Sequence, residues 1–401
     1  MNPYVEVRGV SKIFGTNPKV AIDLLKQGKT KKEILKATGQ TVGVKNVSFE
    51  IYPGEIFVIM GLSGSGKSTL IRMFNRLIKP TIGEILIENE DIVKMNDARL
   101  REVRQKKISM VFQNFALFPH KTILENTEYG LEIQKVPVEK RREKAFSALE
   151  VVGLKGYENQ LPKQLSGGMQ QRVGLARALA SNTDVILMDE AFSALDPLIR
   201  KDMQDELLEI QEKYKKTIIF ITHDLDEALR IGDRIALMRD GSIIQLGTPE
   251  QILMNPANEF VEKFVEDVDL SKILTATHVM KPAERIAVDR GPRVALEIMR
   301  KQGYSSVFVV DRNRKLLGAI TAEEARQAID QNQSIAEVMS TDIPTVSGET
   351  VLADLMDVMA TSSLPISVID EEHRLKGVVI RGAVIGALAG NKDSLNDLES
   401  E

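Results

Sequence analysis

The segment Gly61-Leu-Ser-Gly-Ser-Gly-Lys-Ser68 constrains the fold of this chain more than any other stretch. The apolar run from Ile56 to Met60 precedes it and Thr69-Leu-Ile follows it, so the pattern predicts a buried strand, a tight loop and a helix. In such a loop successive backbone N–H groups point at an anion, and the helix N-terminus adds partial positive charge. The sequence therefore predicts a nucleotide-phosphate site in an α/β domain.

The residues of this loop divide by their chemistry. The glycines supply backbone freedom, Lys67 reaches the β- and γ-phosphates, and the Ser68 hydroxyl holds Mg²⁺. The predicted contacts to the nucleotide are Gly61, Ser63, Gly64, Ser65, Gly66, Lys67, Ser68 and Thr69.

Length and composition limit the remaining possibilities. The 401 residues are enough for two or three domains, and 43% hydrophobic residues are enough for their cores. A net charge of −4 argues against general nucleic-acid binding, and the absence of cysteine excludes disulfides and thiolate metal sites. The N-terminus shows no signal-peptide pattern, and no apolar run approaches the ~18 residues that a membrane span requires. We therefore expect no membrane-spanning segment in this sequence.

Polar residues follow several apolar strands. Gln113 comes after the run from Ile108 to Phe112 and is placed to reach Mg²⁺ or the attacking water. The run from Val185 to Met188 ends in Asp189-Glu190, so one carboxylate suits the Mg²⁺ shell and the next can polarise a water. His223 ends the strand from Thr217 to Thr222 and is predicted to hydrogen-bond the γ-phosphate.

A second anion site is predicted at the start of another helix. In Leu165-Ser-Gly-Gly-Met-Gln170 the side chain of Ser166 suits an N-cap, and Gly167 and Gly168 expose backbone N–H groups. Near the N-terminus, Phe14 is a candidate for stacking on a purine ring, although a core phenylalanine is the alternative.

Two segments carry many charged residues. The segment 17–43 reads as one or two short amphipathic helices broken near Gly28, and its lysines are Lys26, Lys29, Lys31, Lys32 and Lys36. The second is the run 139–144. Solvated helix faces are the simple interpretation of both, and contact with anionic lipid headgroups is the alternative.

In order and spacing, these motifs resemble the ATP-binding cassette of ABC transporters over residues 4 to 250. The resemblance implies that two cassettes sandwich two ATP molecules, with Ser166 and Gly168 of one chain facing the γ-phosphate held by Lys67 of the other. It implies catalytic roles for Glu190, His223 and Gln113. It implies Mg²⁺ binding by Ser68, Gln113 and Asp189. Further nucleotide contacts are implied for Phe14, Ser166, Gly167, Gly168 and Asp196. A helical subdomain at about 114–180, hinged at Gln113, would contact a membrane partner. Met169 departs from the glutamine usual there.

Three features together resemble the ATP-binding subunits of glycine betaine/proline-type quaternary-amine importers. They are the lysine-rich insert at 17–43, the variant Leu165-Ser-Gly-Gly-Met-Gln-Gln171 and the C-terminal region. This implies a subunit at the cytoplasmic face of the membrane that works with a permease and an extracytoplasmic solute-binding protein, without nucleic acid. Cassettes importing methionine or a polyamine, and a non-transport cassette with a ligand sensor, are the alternatives. Comparing the ATPase activities that these solutes stimulate would distinguish the transporters.

The C-terminal region repeats itself. Val279-Met280 recurs as Val338-Met339, Asp311 as Asp370 and Gly318 as Gly377. This resembles a tandem pair of CBS domains, which in osmolyte importers are regulatory and in some bacteria bind cyclic di-AMP. Thr321 and Glu324 are candidate ribose ligands, whereas the second copy has Ile380 and Ala383. The expected domains are an ATPase at 1–265, CBS repeats at about 273–331 and 332–390 within 266–390, and an acidic tail at 391–401.

Overall fold

The computed structural model describes residues 2–266, 268–362 and 364–388. The chain divides into two compact units, Met1–Asp267 and Val268–Glu401. Both units mix α-helices and β-strands, which confirms the predicted α/β class. Within the described ranges, none of the helices combines the length and the apolar character that crossing a bilayer requires. The predicted acidic tail at 391–401 lies outside the described residues.

In the first unit, the described residues 2–266 form two sheets and a set of helices. Its strands are β1 (Val5–Phe14), β2 (Thr41–Ile51), β3 (Ile56–Met60), β4 (Ile82–Ile87), β5 (Glu90–Asp91), β6 (Ile108–Phe112), β7 (Val185–Asp189), β8 (Thr217–Thr222), β9 (Arg234–Arg239) and β10 (Ser242–Gly247). Its helices are α1 (Pro18–Lys26), α2 (Lys31–Thr38), α3 (Lys67–Phe74), α4 (Asp97–Lys106), α5 (Ile123–Ile133), α6 (Val138–Val151), α7 (Gly167–Ala180), α8 (Pro197–Tyr214), α9 (Leu225–Ile231), α10 (Pro249–Met254) and α11 (Glu259–Val265), with a 3₁₀ turn at Pro162–Gln164.

The larger sheet has the strand order β10-β9-β3-β8-β7-β6. Strands β9, β3, β8, β7 and β6 run parallel, and β10 closes the edge as an antiparallel hairpin with β9. Every residue of β3, β7 and β8 is buried, as expected for continuous apolar runs covered on both faces.

The smaller sheet is antiparallel, with the order β2-β1-β4-β5. One hydrophobic core joins it to the parallel sheet and to α3. The rings of Phe49 on β2 and Phe57 on β3 stack at 4.9 Å, which ties the two sheets together.

The segment between β1 and β2 forms α1 and α2, and Gly28 lies between them as predicted. Ala21 and Ile34 are fully buried against Ile13 and Val42 of the adjoining strands. The two helices are therefore packed on the antiparallel sheet and are not a loose surface loop.

The described residues of the second unit form two three-stranded sheets, β11-β12-β13 and β14-β15-β16. Its strands are β11 (Arg285–Ala287), β12 (Ser306–Val310), β13 (Leu316–Thr321), β14 (Thr345–Ser347), β15 (Ile366–Ile369) and β16 (Leu375–Val379). Its helices are α12 (Ala276–Val279), α13 (Pro292–Gln302), α14 (Ala322–Asp330), α15 (Ile335–Val338), α16 (Leu352–Thr361) and α17 (Arg381–Leu388), with a 3₁₀ turn at Leu270–Lys272. The short first strand of each repeat was not predicted.

The two repeats share their turn geometry. Asp311 Oδ1 accepts hydrogen bonds from the backbone N–H groups of Asn313 and Lys315, and Asp370 Oδ1 accepts from those of Glu372 and Arg374. Each repeat's glycine packs on the chain that opens the other repeat. A Cβ on Gly318 would lie 2.4 Å from the Ser340 carbonyl oxygen, and one on Gly377 would lie 2.9 Å from that of Lys281. The sequence repeat is thus an approximate internal two-fold.

Candidate active site

The register of the parallel sheet brings the predicted catalytic residues to one edge. Phe112 pairs with Asp189, Asp189 with Ile221, and Met60 with Thr222. Because the carboxyl ends of parallel strands meet at the same edge, the residues that follow these strands lie at one level. They are Gly61, Gln113, Glu190 and His223.

The glycine loop needs glycine at two positions with positive φ. Gly61 has φ +146°, and a Cβ there would lie 2.2 Å from the Met238 carbonyl oxygen. Gly66, the residue before α3, has φ +108°, and a Cβ there would lie 2.4 Å from the Gly43 carbonyl oxygen. The loop is therefore held between β2 and β9, where side chains would collide with backbone.

Lys67 lies at the start of α3 and is buried. Its Nζ donates to the carbonyl oxygens of Gly61 at 2.7 Å and Leu62 at 3.3 Å, and lies 3.9 Å from Glu190 Oε1. Burial lowers the pKa of this ammonium, while the Glu190 and Asp189 charges act in the opposite direction. A cation held in this way is placed for phosphate oxygens.

Glu190 lies at the centre of the polar residues at this edge. Its Oε2 accepts from Gln113 Nε2 at 3.3 Å and lies 3.7 Å from His223 Nδ1. Gln113 Nε2 also donates to Ser193 Oγ at 3.1 Å. Glu190 has φ +48°, a conformation uncommon for residues other than glycine that often marks a functional position.

Asp189 is buried, and an arginine that the sequence analysis did not identify contacts it. Arg72 Nη2 lies 3.1 Å and Arg72 Nε 3.2 Å from Asp189 Oδ2. Arg72 follows Ser68 by four positions on α3, so both lie on one helix face. That helical spacing was the signal in the sequence.

The site has the oxygen chemistry that Mg²⁺ prefers. The Ser68 hydroxyl, the Gln113 amide oxygen and the Asp189 carboxylate are hard ligands. Among the described residues, no group of three or more acidic, histidine or cysteine side chains is arranged to hold a metal. The Ser65 Oγ, buried without a hydrogen-bond partner, is consistent with a loop shaped for an added ligand.

A cavity of about 470 Å³ opens above the loop. Ser63, Gly64, Gly66, Lys67, Ser68, Thr69 and Glu190 line it, together with Phe14, Lys31, Lys32, Leu35, Thr41, Val42 and Gly43. Phe14 is 41% exposed, so it is a wall of this cavity and not a core residue. Gly61 and Ser65 are not among the residues described as lining the cavity, so they contribute to the conformation of the loop and not to the cavity wall.

The interpretation of the insert lysines as a solvated helix face is wrong for Lys31. Lys26, Lys29, Lys32 and Lys36 are exposed, but Lys31 is half-buried and its Nζ lies 3.4 Å from the Gly43 carbonyl oxygen. Lys32 is exposed and also lines the cavity. By contrast, most of the run 139–144 is exposed on α6, and only Arg141 is half-buried, 3.4 Å from Glu128.

The second predicted anion site caps α7. Ser166 Oγ accepts from the Met169 N–H at 3.4 Å, and a Cβ on Gly168 would lie 2.7 Å from Ile199 Cγ2. Asp196 caps α8 by accepting from the Ile199 N–H at 3.2 Å. Among the described residues, those that line the Lys67 cavity do not include Ser166, Gly167, Gly168 or Asp196. Within one protomer the two predicted anion sites are separate.

In the second unit, Thr321 and Glu324 bond to each other. Glu324 Oε2 accepts from the Thr321 N–H at 2.7 Å and from Thr321 Oγ1 at 2.9 Å, which forms the capping box of α14. A cavity of about 590 Å³ lies elsewhere in this unit. It is lined by Thr277, Met280, Thr345, Val346, Ser347, Gly348, Glu349, Val368, Ile369, Asp370, Glu371, His373 and Lys376.

The fold and this edge of the sheet define a phosphate-loop ATPase of the ATP-binding cassette class. The family profile of ABC transporters matches residues 44–193, and that of CBS domains matches 276–331 and 335–390. The dimeric structure of the cassette MJ0796 bound to ADP and Pi is 34% identical, with a TM-score of 0.52, over 61% of this chain and 98% of that one. The structure of cbiO1 from Clostridium perfringens has a TM-score of 0.54 at 25% identity, over 67% of this chain and 96% of that one.

Relatives match nearly the whole chain. The glycine betaine transport ATP-binding protein OpuAA of Bacillus subtilis is 63% identical over 98% of this chain and 94% of its own length. The glycine betaine/carnitine transport ATP-binding protein GbuA of Listeria monocytogenes is 57% identical over 98% of this chain and 99% of its own. The glycine betaine/proline betaine transport system ATP-binding protein ProV of Escherichia coli is 47% identical over 96% and 97%. The chain belongs to this family of ABC transporter ATP-binding subunits.

Proposed function

We propose that this chain is the ATP-hydrolysing subunit of an importer for glycine betaine or a related quaternary amine. The observation that carries the proposal is the identity of 63% to OpuAA, which spans both the cassette and the CBS repeats. A likeness limited to the cassette would leave the solute open, because phosphate-loop residues are shared by transporters of many solutes.

The geometry supports a mechanism in which Glu190 orients and deprotonates the attacking water. Its Oε1 lies 3.9 Å from the Lys67 cation and its Oε2 is held by Gln113, so the carboxylate faces the space above the loop. Lys67 binds the β- and γ-phosphate oxygens, and His223 contacts the γ-phosphate beside Glu190. Phe14 contacts the base.

Mg²⁺ would be held by Ser68, Gln113 and Asp189, and when bound it neutralises charge on the phosphates. Arg72 already contacts Asp189 Oδ2. This contact orients the carboxylate toward α3, where Ser68 also lies.

Two protomers would complete each site. Ser166, Gly167 and Gly168 begin α7 with backbone N–H groups that have no intrahelical acceptor, which suits a phosphate oxygen. They do not reach the cavity of their own protomer, so their phosphate comes from a partner in a head-to-tail dimer. Asp196, which precedes α8, lies in the same dimer interface.

A groove beside the hinge residue Gln113 is proposed to bind the permease. It has a volume of about 420 Å³ and is lined by Phe112, Phe118, Tyr129 and the exposed side chains of Leu77 and Ile133. An amphipathic cytoplasmic segment of a permease fits such a groove. In this proposal the subunit would lie on the cytoplasmic face of the membrane, in a complex that receives solute from an extracytoplasmic binding protein.

The CBS unit is proposed to regulate the pump by binding cyclic di-AMP or another adenine nucleotide. Because Thr321 and Glu324 cap α14, the 590 Å³ cavity is the stronger candidate site. Calorimetry of the full chain carrying Lys67→Ala would test this, since that variant removes the cassette as a competing site. Heat from none of cyclic di-AMP, AMP and ATP would contradict the proposal.

The exposed lysines of the insert and of α6 support a second proposed input, in which rising ionic strength screens their attraction to anionic lipid. In proteoliposomes, ATP turnover should then depend on both salt and anionic-lipid content. Turnover that changes with neither would remove this input.

Copurification with a permease, followed by reconstitution, tests the proposed function as a whole. Glycine betaine with its binding protein should stimulate ATP turnover, while methionine and polyamines should not. Stimulation by one of those solutes alone would replace the proposed substrate, and the absence of a permease partner would favour a non-transport role.

A further inference from the structure

Helix α2 of the insert lies beside the nucleotide cavity. Lys31, Lys32 and Leu35 are the α2 residues that line it, next to the phosphate loop and Phe14. The roles assigned so far to the loop, the strand ends and α7 do not use these side chains.

Helix α2 is held in one place. A capping box at Thr30 begins the helix, with the Thr30 N–H donating to Glu33 Oε2 at 2.8 Å, and Gly39 ends it in the left-handed conformation. Ile34 is fully buried in the cluster that packs α1 and α2 on the sheet. Lys31 and Leu35 are four positions apart, so they project from one face of an anchored helix.

Lys31 brings a cation close to the loop. Its Nζ lies 3.4 Å from the Gly43 carbonyl oxygen, the same atom that a Cβ on Gly66 would meet at 2.4 Å. Among the described residues, no carboxylate lies within ion-pair distance of this half-buried ammonium; Asp240 acts on it from farther away. An ammonium has three donors, so donors remain for an anion in the cavity.

Leu35 and Phe14 supply apolar surface to the same cavity. They are 49% and 41% exposed, although both project from elements with buried neighbours. Exposed apolar side chains that face one cavity are typical of a site whose ligand has a flat, apolar part. A purine base has this shape, and the phosphate loop fixes where its phosphates lie.

We infer that α2 is a second wall of the nucleotide site: the Lys31 ammonium binds the phosphate oxygens nearest the ribose, and Leu35 contacts the base together with Phe14. The inference rests on the proposed function, because it concerns the same ATP molecule. It gives the insert a direct role in nucleotide affinity.

The test is calorimetric titration of ATP into the full chain carrying Glu190→Gln, so that ATP is bound and not consumed. Lys31→Gln should weaken ATP binding about five- to tenfold, which is the loss of a charge-assisted hydrogen bond reduced for partial exposure. Leu35→Ala should weaken it about three- to tenfold through lost apolar burial. The Lys31→Gln effect should shrink at high salt, and the Leu35→Ala effect should not.

Matched controls come from the same insert. Lys36 on α2 and Val20 on α1 are exposed, and neither is among the cavity-lining residues described, so Lys36→Gln and Val20→Ala should bind ATP as the parent chain does. Lys31→Arg keeps the charge and should retain most of the affinity. This distinguishes a phosphate contact from a loss of packing.

Two results would overturn the inference, and they differ. If the parent chain binds ATP through Lys67 but Lys31→Gln and Leu35→Ala bind like the controls, α2 is not a wall of the site and the proposed function stands. If ATP binding is absent or survives Lys67→Ala, the proposed function fails and the inference fails with it.

Discussion

Replacing Glu190 by glutamine should abolish most ATP turnover while ATP binding persists. The substitution keeps the shape of the side chain and one oxygen for the Gln113 contact, which is 3.3 Å long in the structure. It removes the proton acceptor. A positioned general base contributes about 10²- to 10⁴-fold, so the barrier should rise by about 2.7 to 5.4 kcal/mol.

The same geometry predicts the direction of the change in affinity. Lys67 Nζ and Glu190 Oε1 are 3.9 Å apart, which corresponds to about 4 kcal/mol of attraction at an effective dielectric constant of about 20. Water reduces this value, because the Glu190 side chain is 20% exposed. Without the competing carboxylate, Lys67 is available to the phosphates, so ATP should bind as tightly as before or more tightly.

Phosphate release would measure turnover, and calorimetry with elution volume in ATP would measure binding and pairing of protomers. Asp226→Asn is the matched control, since Asp226 is an exposed carboxylate on α9, close in sequence to His223, and is assigned no catalytic role. Full turnover in Glu190→Gln would refute the assignment of the base. Failure of this variant to pair in ATP, even with the permease present, would refute the head-to-tail site.

Three further perturbations test other parts of the structure. Gly66→Ala should weaken ATP binding by about tenfold or more, because φ is +108° and the new Cβ would lie 2.4 Å from the Gly43 carbonyl oxygen. If calorimetry gives this variant the wild-type affinity for ATP, the loop geometry is contradicted. Gly318→Ala should destabilise the CBS unit by about 1 to 3 kcal/mol, and by more than Gly377→Ala. The reason is that the new Cβ would lie 2.4 Å from a backbone oxygen at Gly318 and 2.9 Å from one at Gly377. Equal denaturant midpoints for the two variants would count against this packing. Burial raises the pKa of Glu227, so this group binds protons more readily in the folded state, and the stability it contributes at low pH is lost as pH rises from 4.5 through its folded pKa. The Tm of Glu227→Gln relative to wild type should therefore increase as the pH rises above 4.5, and a constant Tm difference would show that burial does not raise the pKa of Glu227 in this way.

Patterns with a local cause were predictable. The apolar runs of β3, β6 and β8 have the predicted bounds, because a strand buried on both faces needs an unbroken run of hydrophobic residues. The break of the insert at Gly28 was equally visible. The helix-capping role of Ser166 was also predictable, because an N-cap depends on residues three positions apart.

Contacts between residues that are far apart in the sequence were not predictable in this way. Arg72 on Asp189 and Lys31 at the phosphate loop join segments that are separate in sequence, and charge patterning alone assigned Lys31 to a solvated face. Thr321 and Glu324, the candidate ribose ligands, show a different limit of local patterns. A spacing of three residues fits both a ribose site and a capping box, and the structure has the capping box.

The amino-acid sequence by itself determined the class of fold, the phosphate loop and the order of the predicted catalytic residues, because these depend on apolar runs and on the backbone freedom of glycine. Only the tertiary structure decided which side chains share the cavity. Strand order and register place residues 61, 113, 190 and 223 at one edge, and the packing of Ile34 turns Lys31 toward the loop. Such contacts arise from the global arrangement of buried surfaces, which no local pattern encodes.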